Sequence, residues 1–63
     1  MSAEKVVYTI PEVMERLQVS RWTVYELIHK RELDSIRIGK KIRRVPVDAL
    51  DDYIARRREE EAA

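Results

Sequence analysis

The sequence predicts a small α+β domain that is mostly helical, and three observations support this prediction. Apolar residues recur at helical spacing in three stretches of the chain. A short segment with the two-residue period of β-strands lies between the second and third of them. A chain of 63 residues also leaves room for only one thin core. We therefore expect the order helix, tight turn, helix, two-stranded ribbon, helix.

The first helix is predicted to begin after Thr9. Thr9 and Glu12 have the spacing of a capping box, in which each side chain accepts a backbone N–H of the other, and Pro11 suits the first turn. The apolar residues behind this start fall on one helical face: Ile10, Val13, Met14 and Leu17. We expect that face to be buried.

The second helix follows after Gln18 and Val19, which leave room for only a tight turn. Ser20 is its predicted cap, accepting the backbone N–H of Trp22 or Thr23. Its apolar stripe comprises Val19, Val24, Leu27 and Ile28. Its opposite face comprises Arg21, Trp22, Tyr25, Glu26 and His29. The helix is expected to end over Lys30, Arg31 and Glu32.

A ribbon of two strands is predicted from residues 36–38 and 42–45. The only glycine of the chain, Gly39, lies between these strands, where a tight connection needs positive φ. Lys40 and Lys41 follow it and make the tip basic. Pro46 is predicted to end the ribbon because proline cannot donate a hydrogen bond to a ladder.

The third helix is predicted to have Asp48 as its cap and Asp51 in its first turn. Leu50, Tyr53 and Ile54 form its apolar face. Arginines 56–58 precede glutamates 59–61 at spacings of three and four residues, so their charges can pair and lengthen the helix.

Composition excludes several classes of function. The chain has no cysteine and one histidine, so neither a disulfide nor a metal site is expected. No catalytic motif, cofactor-binding glycine loop or membrane-length apolar run is present. We therefore expect a protein that is not an enzyme, needs no cofactor, is soluble and unprocessed, and resides in the cytoplasm away from membranes.

The charge is divided unevenly along the chain. Residues 1–19 carry two basic and three acidic residues, residues 20–45 carry eight and three, and residues 46–63 carry three and six, so the formal charges are −1, +5 and −3. A basic middle segment suits a polyanionic partner. A ten-residue helix is a rod about 15 Å long. Such a rod can lie in the major groove of duplex DNA, which is roughly 12 Å wide.

The second helix supplies the first group of candidate DNA-binding residues. They are Ser20, Arg21, Trp22, Thr23, Tyr25 and Glu26. Arginine can bind guanine, and we favour this contact for Arg21 over the role of an ordinary solvated residue. Glutamate can accept from cytosine, but Glu26 could equally be a solvated residue, since its charge opposes the phosphates. Ser20 needs only its cap role, and Thr23 is assigned to phosphate. Trp22 is left with three roles: core packing, protein contact or DNA contact.

The ribbon supplies the candidate backbone and minor-groove contacts. They are Arg37, Lys40, Lys41, Arg43 and Arg44. Cations also keep edge strands soluble, yet five without one acid from residue 36 to 47 exceed that need. The run at residues 56–61 is interpreted as a solvated helix end, with an oligomer contact as the alternative.

These motifs together resemble the excisionase family, which is related to the winged helix-turn-helix domain of the MerR regulators. The resemblance spans about residues 8–54 and is most specific in Val-Ser-Arg-Trp-Thr-Val-Tyr-Glu-Leu-Ile at 19–28, with Arg37 and Gly39 marking the ribbon. Gln18 and Arg31 stand where the family often has glycine. The segment 39–46 is about one residue longer than usual, which leaves open whether Arg43 or Arg44 faces DNA.

The resemblance implies a winged helix-turn-helix fold and a function. We expect a flexible N-terminus at residues 1–7, a DNA-binding domain at 8–58 and a charged tail at 59–63. The family assignment implies a recombination directionality factor that binds and bends attachment-site DNA and helps an integrase excise a phage or mobile element. Several copies are expected to bind side by side. The alternatives are a stand-alone transcriptional regulator and, from another class, a protein-interaction module.

Overall fold

The computed structural model describes residues 6–62 as three helices and a small antiparallel sheet. In chain order the elements are β1 (Val7–Tyr8), α1 (Ile10–Leu17), α2 (Arg21–His29), β2 (Ile36–Ile38), β3 (Ile42–Pro46) and α3 (Val47–Ala62). The predicted α+β class and the order of the helices are confirmed. Most of the predicted flexible N-terminus, residues 1–5, lies outside the described residues.

The sheet has three strands where the sequence predicts a ribbon of two. The strand order is β1-β3-β2, with β1 antiparallel to β3 through the pairs Val7 with Pro46 and Tyr8 with Val45. β2 is antiparallel to β3 on its other edge. β1 has only two residues, too few to show a two-residue period in the sequence. We call β2, residues 39–41 and β3 together the ribbon.

The core is a single cluster to which nearly every element contributes. Its buried residues are Tyr8, Ile10, Val13, Val24, Leu33, Val45 and Leu50. Residues from all three helices, β1 and β3 therefore meet there, whereas β2 contributes none. The remaining predicted apolar positions, such as Leu17 and Tyr53, are partly buried around this cluster. β2, the first strand of the ribbon, consequently extends beyond the core.

The predicted helix starts of α1 and α2 are confirmed. The Glu12 backbone N–H donates to Thr9 Oγ1 at 3.2 Å, and the Thr9 N–H donates to Glu12 Oε1 at 2.8 Å, which completes the capping box. The Thr23 N–H donates to Ser20 Oγ at 3.2 Å. Between the helices, Gln18 has a φ of 60°, so the tight turn uses a left-handed residue without glycine.

The predicted cap of α3 is wrong. The helix begins at Val47, so Asp48 lies inside its first turn rather than before it. The Val47 backbone N–H donates instead to the Val6 carbonyl at 3.0 Å. The main chain beside β1 thus satisfies the first N–H of α3, a long-range contact that is not visible in local motifs.

α2 ends earlier than the sequence predicts, whereas the charged residues at 56–61 lengthen α3 as expected. α2 ends at His29, slightly earlier than predicted, and Arg31 has a φ of 63° in the turn that follows. α3 continues through the charged tail to Ala62, where Arg57 contacts Glu60 at 3.0 Å and Glu61 at 4.0 Å. Within residues 6–62, no helix combines the length and apolar character needed to cross a membrane.

Candidate nucleic-acid interface

The first turn of α2 is held by its cap. Ser20 Oγ accepts the Thr23 N–H and lies 3.1 Å from Thr23 Oγ1, so the two hydroxyls also hydrogen-bond each other. Ser20 is exposed and Thr23 is half-buried. Capping alone accounts for a serine at position 20, and the cap fixes the backbone of the first turn of α2.

The large side chains of α2 that the sequence assigned to DNA are exposed. Trp22 is 70% exposed and Tyr25 is 42% exposed, while Arg21 is also at the surface. Val24, on the opposite side of the helix, is fully buried. Of the three roles left open for Trp22, core packing is therefore excluded.

A shallow depression on α2 brings together part of the predicted set. It has a volume of about 300 Å³ and is lined by Trp22, Tyr25, Glu26 and His29. These positions lie on one face because their spacings are three, four and seven residues. Arg21 is displaced by about 100° around the helix from Trp22 and adjoins the depression through Tyr25. His29 is not among the contacts predicted from the sequence, although its seven-residue spacing from Trp22 places it on the same helical face.

Glu26 is the one acidic residue in this depression, and its charge is partly compensated. Its carboxylate lies 3.5 Å from Lys30 Nζ, one helical turn further on. An ion pair at this surface position contributes little to stability. It does reduce the repulsion that an uncompensated carboxylate would exert on a phosphate backbone.

The tip of the ribbon is exposed and basic. Gly39 has a φ of 73°, a positive value as the sequence predicts, and apart from its two chain neighbours no described residue lies within 4 Å of the place where a Cβ would stand. Lys40 and Lys41 follow at the tip, and both are exposed. The turn therefore projects two ammonium groups into solvent from a backbone conformation that favours glycine.

The strand register assigns Arg43 and Arg44 to different faces. Arg43 is opposite Arg37, and directly opposed residues of antiparallel strands share a face. Arg44 is opposite Ile36 and shares its face with the pair Ile38 and Ile42. This second face is thus largely apolar, with all three isoleucines exposed by 44–47%.

The two arginines also differ in their hydrogen bonds. Arg43 Nη1 donates to Ser35 Oγ at 2.7 Å, and Arg44 Nη1 donates to the Arg43 carbonyl at 3.1 Å. Both side chains are half-buried, whereas Arg37 is exposed. The cations of the ribbon that are exposed rather than half-buried are consequently Arg37, Lys40 and Lys41.

The electrostatics of the ribbon favour an anionic partner. Arg37 and Arg43 are directly opposed, an arrangement that is destabilising between like charges. No acidic residue occurs from residue 36 to 47 to relieve it. Neutralisation by phosphates would relieve this repulsion and release counterions from DNA.

Other kinds of site find no support among residues 6–62. No three His, Asp or Glu side chains in this part of the chain are grouped so that they could hold a metal ion. The acidic residues of α3 lie along its exposed surface, and Arg57 pairs with two of them. That α2 and the ribbon meet one duplex together stays a prediction.

Comparison with known proteins identifies relatives over most of the chain. The model of a helix-turn-helix domain family matches residues 7–58. An excisionase of Streptomyces ambofaciens is 56% identical over 46 residues, which cover 73% of this chain and 73% of the relative. No solved structure matches the chain significantly.

Two further relatives are more distant and longer. A protein named as a probable excisionase in Saccharopolyspora erythraea is 40% identical over 52 residues, covering 82% of this chain but 52% of the relative. A Mycobacterium tuberculosis protein named for DNA binding is 39% identical over 52 residues, covering 82% of this chain and 65% of the relative. The match therefore spans about half to two thirds of these two proteins.

Proposed function

This chain belongs to the excisionase family of helix-turn-helix proteins, and we propose that it is a DNA-binding excisionase that acts at attachment sites. It binds repeated sites in duplex DNA, bends them and assists an integrase in excising a phage or mobile element. The family is not a family of enzymes, so the protein acts by binding and needs no cofactor. The observation that carries the proposal is the acid-free ribbon, whose opposed arginines call for an anionic partner.

In this proposal α2 enters the major groove. The N-terminal part of a second helix is the part that meets base edges in helix-turn-helix proteins. Arg21 would bind a guanine, and Tyr25 and Glu26 would contact neighbouring bases or backbone. Ser20 and Thr23 lie at the N-terminus of the helix, where backbone N–H groups and hydroxyls suit phosphate.

The ribbon is proposed to act as a wing, as in MerR regulators. Arg37, Lys40 and Lys41 are its exposed cations and would contact the adjacent backbone or minor groove. Arg43 lies on the same face as Arg37, and Arg44 lies on the other face. Residues 8–58 form the DNA-binding unit of this proposal, and 59–63 form a charged tail that binds no DNA.

Excision in a purified system tests the proposal. The full chain is added to a candidate partner integrase and to DNA carrying the two recombinant attachment sites. We expect excision to depend on the chain and to fall when Arg37, Lys40 and Lys41 are replaced together by alanine. Replacement of Glu59, Glu60 and Glu61 by glutamine is the matched control and should leave excision intact. Equal excision with and without the chain would contradict the proposal.

A second candidate is a stand-alone transcriptional regulator that uses the same domain. The relative named only for DNA binding, without reference to excision, favours it. Fold alone does not separate the two functions. A footprint of the chain on the promoter of its own gene, with no footprint at the attachment sites, would support regulation and contradict excision.

A protein-interaction module is the remaining alternative from another class, and salt dependence separates it from DNA binding. Contacts with Z phosphates predict that log K falls with log salt with a slope of about −0.9Z. With the three exposed ribbon cations engaged on phosphates, we expect a slope of about −3 on duplex DNA. A slope near zero would contradict phosphate binding.

A further inference from the structure

We propose that Trp22 reads the methyl group of a thymine in the major groove, so that the preferred duplex carries thymine at the position that Trp22 meets. The inference rests on the proposed function, since it requires α2 to enter the groove. It adds a specificity contact of a different chemical kind from the hydrogen bonds expected of Arg21.

The exposure of Trp22 is the first step of the argument. The indole is 70% exposed on a helix whose inner face is closed by the fully buried Val24. It therefore contributes little to the core. A large apolar side chain left in water is unfavourable unless a partner covers it, because each buried methylene contributes about 0.8 kcal/mol.

The position of Trp22 is the second step. It is the second residue of α2, in the turn that Ser20 caps through the Thr23 N–H. The backbone that carries the indole is therefore ordered before DNA binds. Since tryptophan has only two side-chain torsions, little conformational freedom remains to be lost on contact.

The chemistry of the bases is the third step. Hydrogen-bond donors and acceptors line the major groove, and the thymine C5-methyl is the one apolar group on a base edge there. The indole offers a broad apolar ring and a single N–H donor. Of the four bases, thymine is therefore the one whose major-groove edge matches the ring.

The surroundings of Trp22 favour DNA over a protein partner. Arg21 precedes it in the chain, and Tyr25 and His29 line the same depression, so hydrogen-bond donors surround the ring. The one carboxylate there, Glu26, is paired with Lys30. Tryptophan, tyrosine and arginine are also common in protein interfaces, but the exposed cations Arg37, Lys40 and Lys41, with no acidic residue from 36 to 47, suit a polyanionic partner.

The test uses a random duplex library amplified with dTTP. Each selected site is also made with deoxyuridine, which differs from thymidine only in lacking the methyl group. The full chain and its Trp22→Ala, Trp22→Phe and Arg21→Ala variants select sites from the dTTP library. Affinity for each selected duplex is then compared with that for the same sequence containing deoxyuridine. The melting temperature of each variant checks that the exposed substitution leaves the fold intact.

We expect the unsubstituted chain to bind its selected thymine duplex about fourfold more tightly than the deoxyuridine duplex for each methyl group contacted. Trp22→Ala should bind both duplexes equally, and Trp22→Phe should keep part of the difference. An undiminished preference for thymine in Trp22→Ala would overturn the inference, while loss of sequence preference in Arg21→Ala would still support the proposed function. Failure of the unsubstituted chain to enrich any sequence would overturn both.

Discussion

Arg21 and the lysines of the ribbon are expected to contribute different parts of the binding free energy. Arg21→Ala should weaken binding to the preferred duplex by about 1–3 kcal/mol and relax base preference, because it removes a bidentate base contact. Lys40→Ala or Lys41→Ala should weaken all sequences alike and reduce the salt slope by about one, because each removes a phosphate contact. Binding isotherms on preferred and random duplexes at several salt concentrations measure both effects.

The random duplex is the control for this prediction. If Arg21→Ala weakened random and preferred duplexes equally, Arg21 would be a phosphate contact and the base-reading assignment would be wrong. If Lys40→Ala instead changed the preferred sequence, the ribbon would read bases.

The positive φ of Gly39 and Arg31 predicts how substitutions at these two residues change the stability of the fold. Gly39→Ala should destabilise the fold by about 1–2 kcal/mol, because alanine resists the left-handed region and gains no contact there. Arg31→Gly should raise stability, because Arg31 occupies that region at a φ of 63° without glycine. The melting temperature should shift by about 4–8 °C for each kcal/mol.

Gly39→Asn is the matched control, because asparagine tolerates positive φ and should restore much of the loss. Equal melting temperatures for Gly39→Ala and the unsubstituted chain would show that this conformation is not needed.

Single residues with special conformations could be predicted only in part. The positive φ at Gly39 was predictable because glycine between two strand-like segments is a strong turn signal. The positive φ at Gln18 and Arg31 gives no such signal, since neither residue type favours that conformation. Both had to be seen in the structure, although their positions next to predicted helix ends were known.

At the scale of elements, the cap of α2 links stability to binding. Ser20→Ala should cost about 1 kcal/mol of stability by removing the acceptor of the Thr23 N–H. Ser20→Asp should restore the cap and the stability, yet weaken DNA binding because it adds a negative charge where phosphate is expected. Thermal unfolding and DNA titration of the same variants separate the two effects.

Ser20→Asn provides the neutral cap for comparison and should preserve both stability and affinity. Unchanged DNA affinity in Ser20→Asp would place the start of α2 away from the phosphates and would contradict the proposed docking of this helix.

Elements with strong local signals were predictable, and those made by long-range pairing were not. The starts of α1 and α2 follow from the side chains of Thr9, Glu12 and Ser20, which act within three residues. β1 depends on pairing with β3, which is almost forty residues away, and the first N–H of α3 is satisfied by Val6. The assignment of Asp48 as a cap failed for the same reason.

At the scale of the whole molecule, the distribution of charge and the strand register decide which cations lie on the same part of the surface. The basic segment was visible in the sequence, because counting charges needs no structure. The separation of Arg43 from Arg44 depends on strand register, which a one-residue shift would reverse. The convergence of α2 and the ribbon on one duplex depends on the relative orientation of two elements, which local patterns do not encode.

An NMR titration of the ¹⁵N-labelled full chain with its selected duplex tests most directly whether α2 and the ribbon bind one DNA molecule together. We predict that amide signals from residues 20–29 and 37–44 change in step, with a single affinity, while signals from residues 56–61 stay in place. Changes confined to one of the two elements, or centred on the end of α3, would contradict the account.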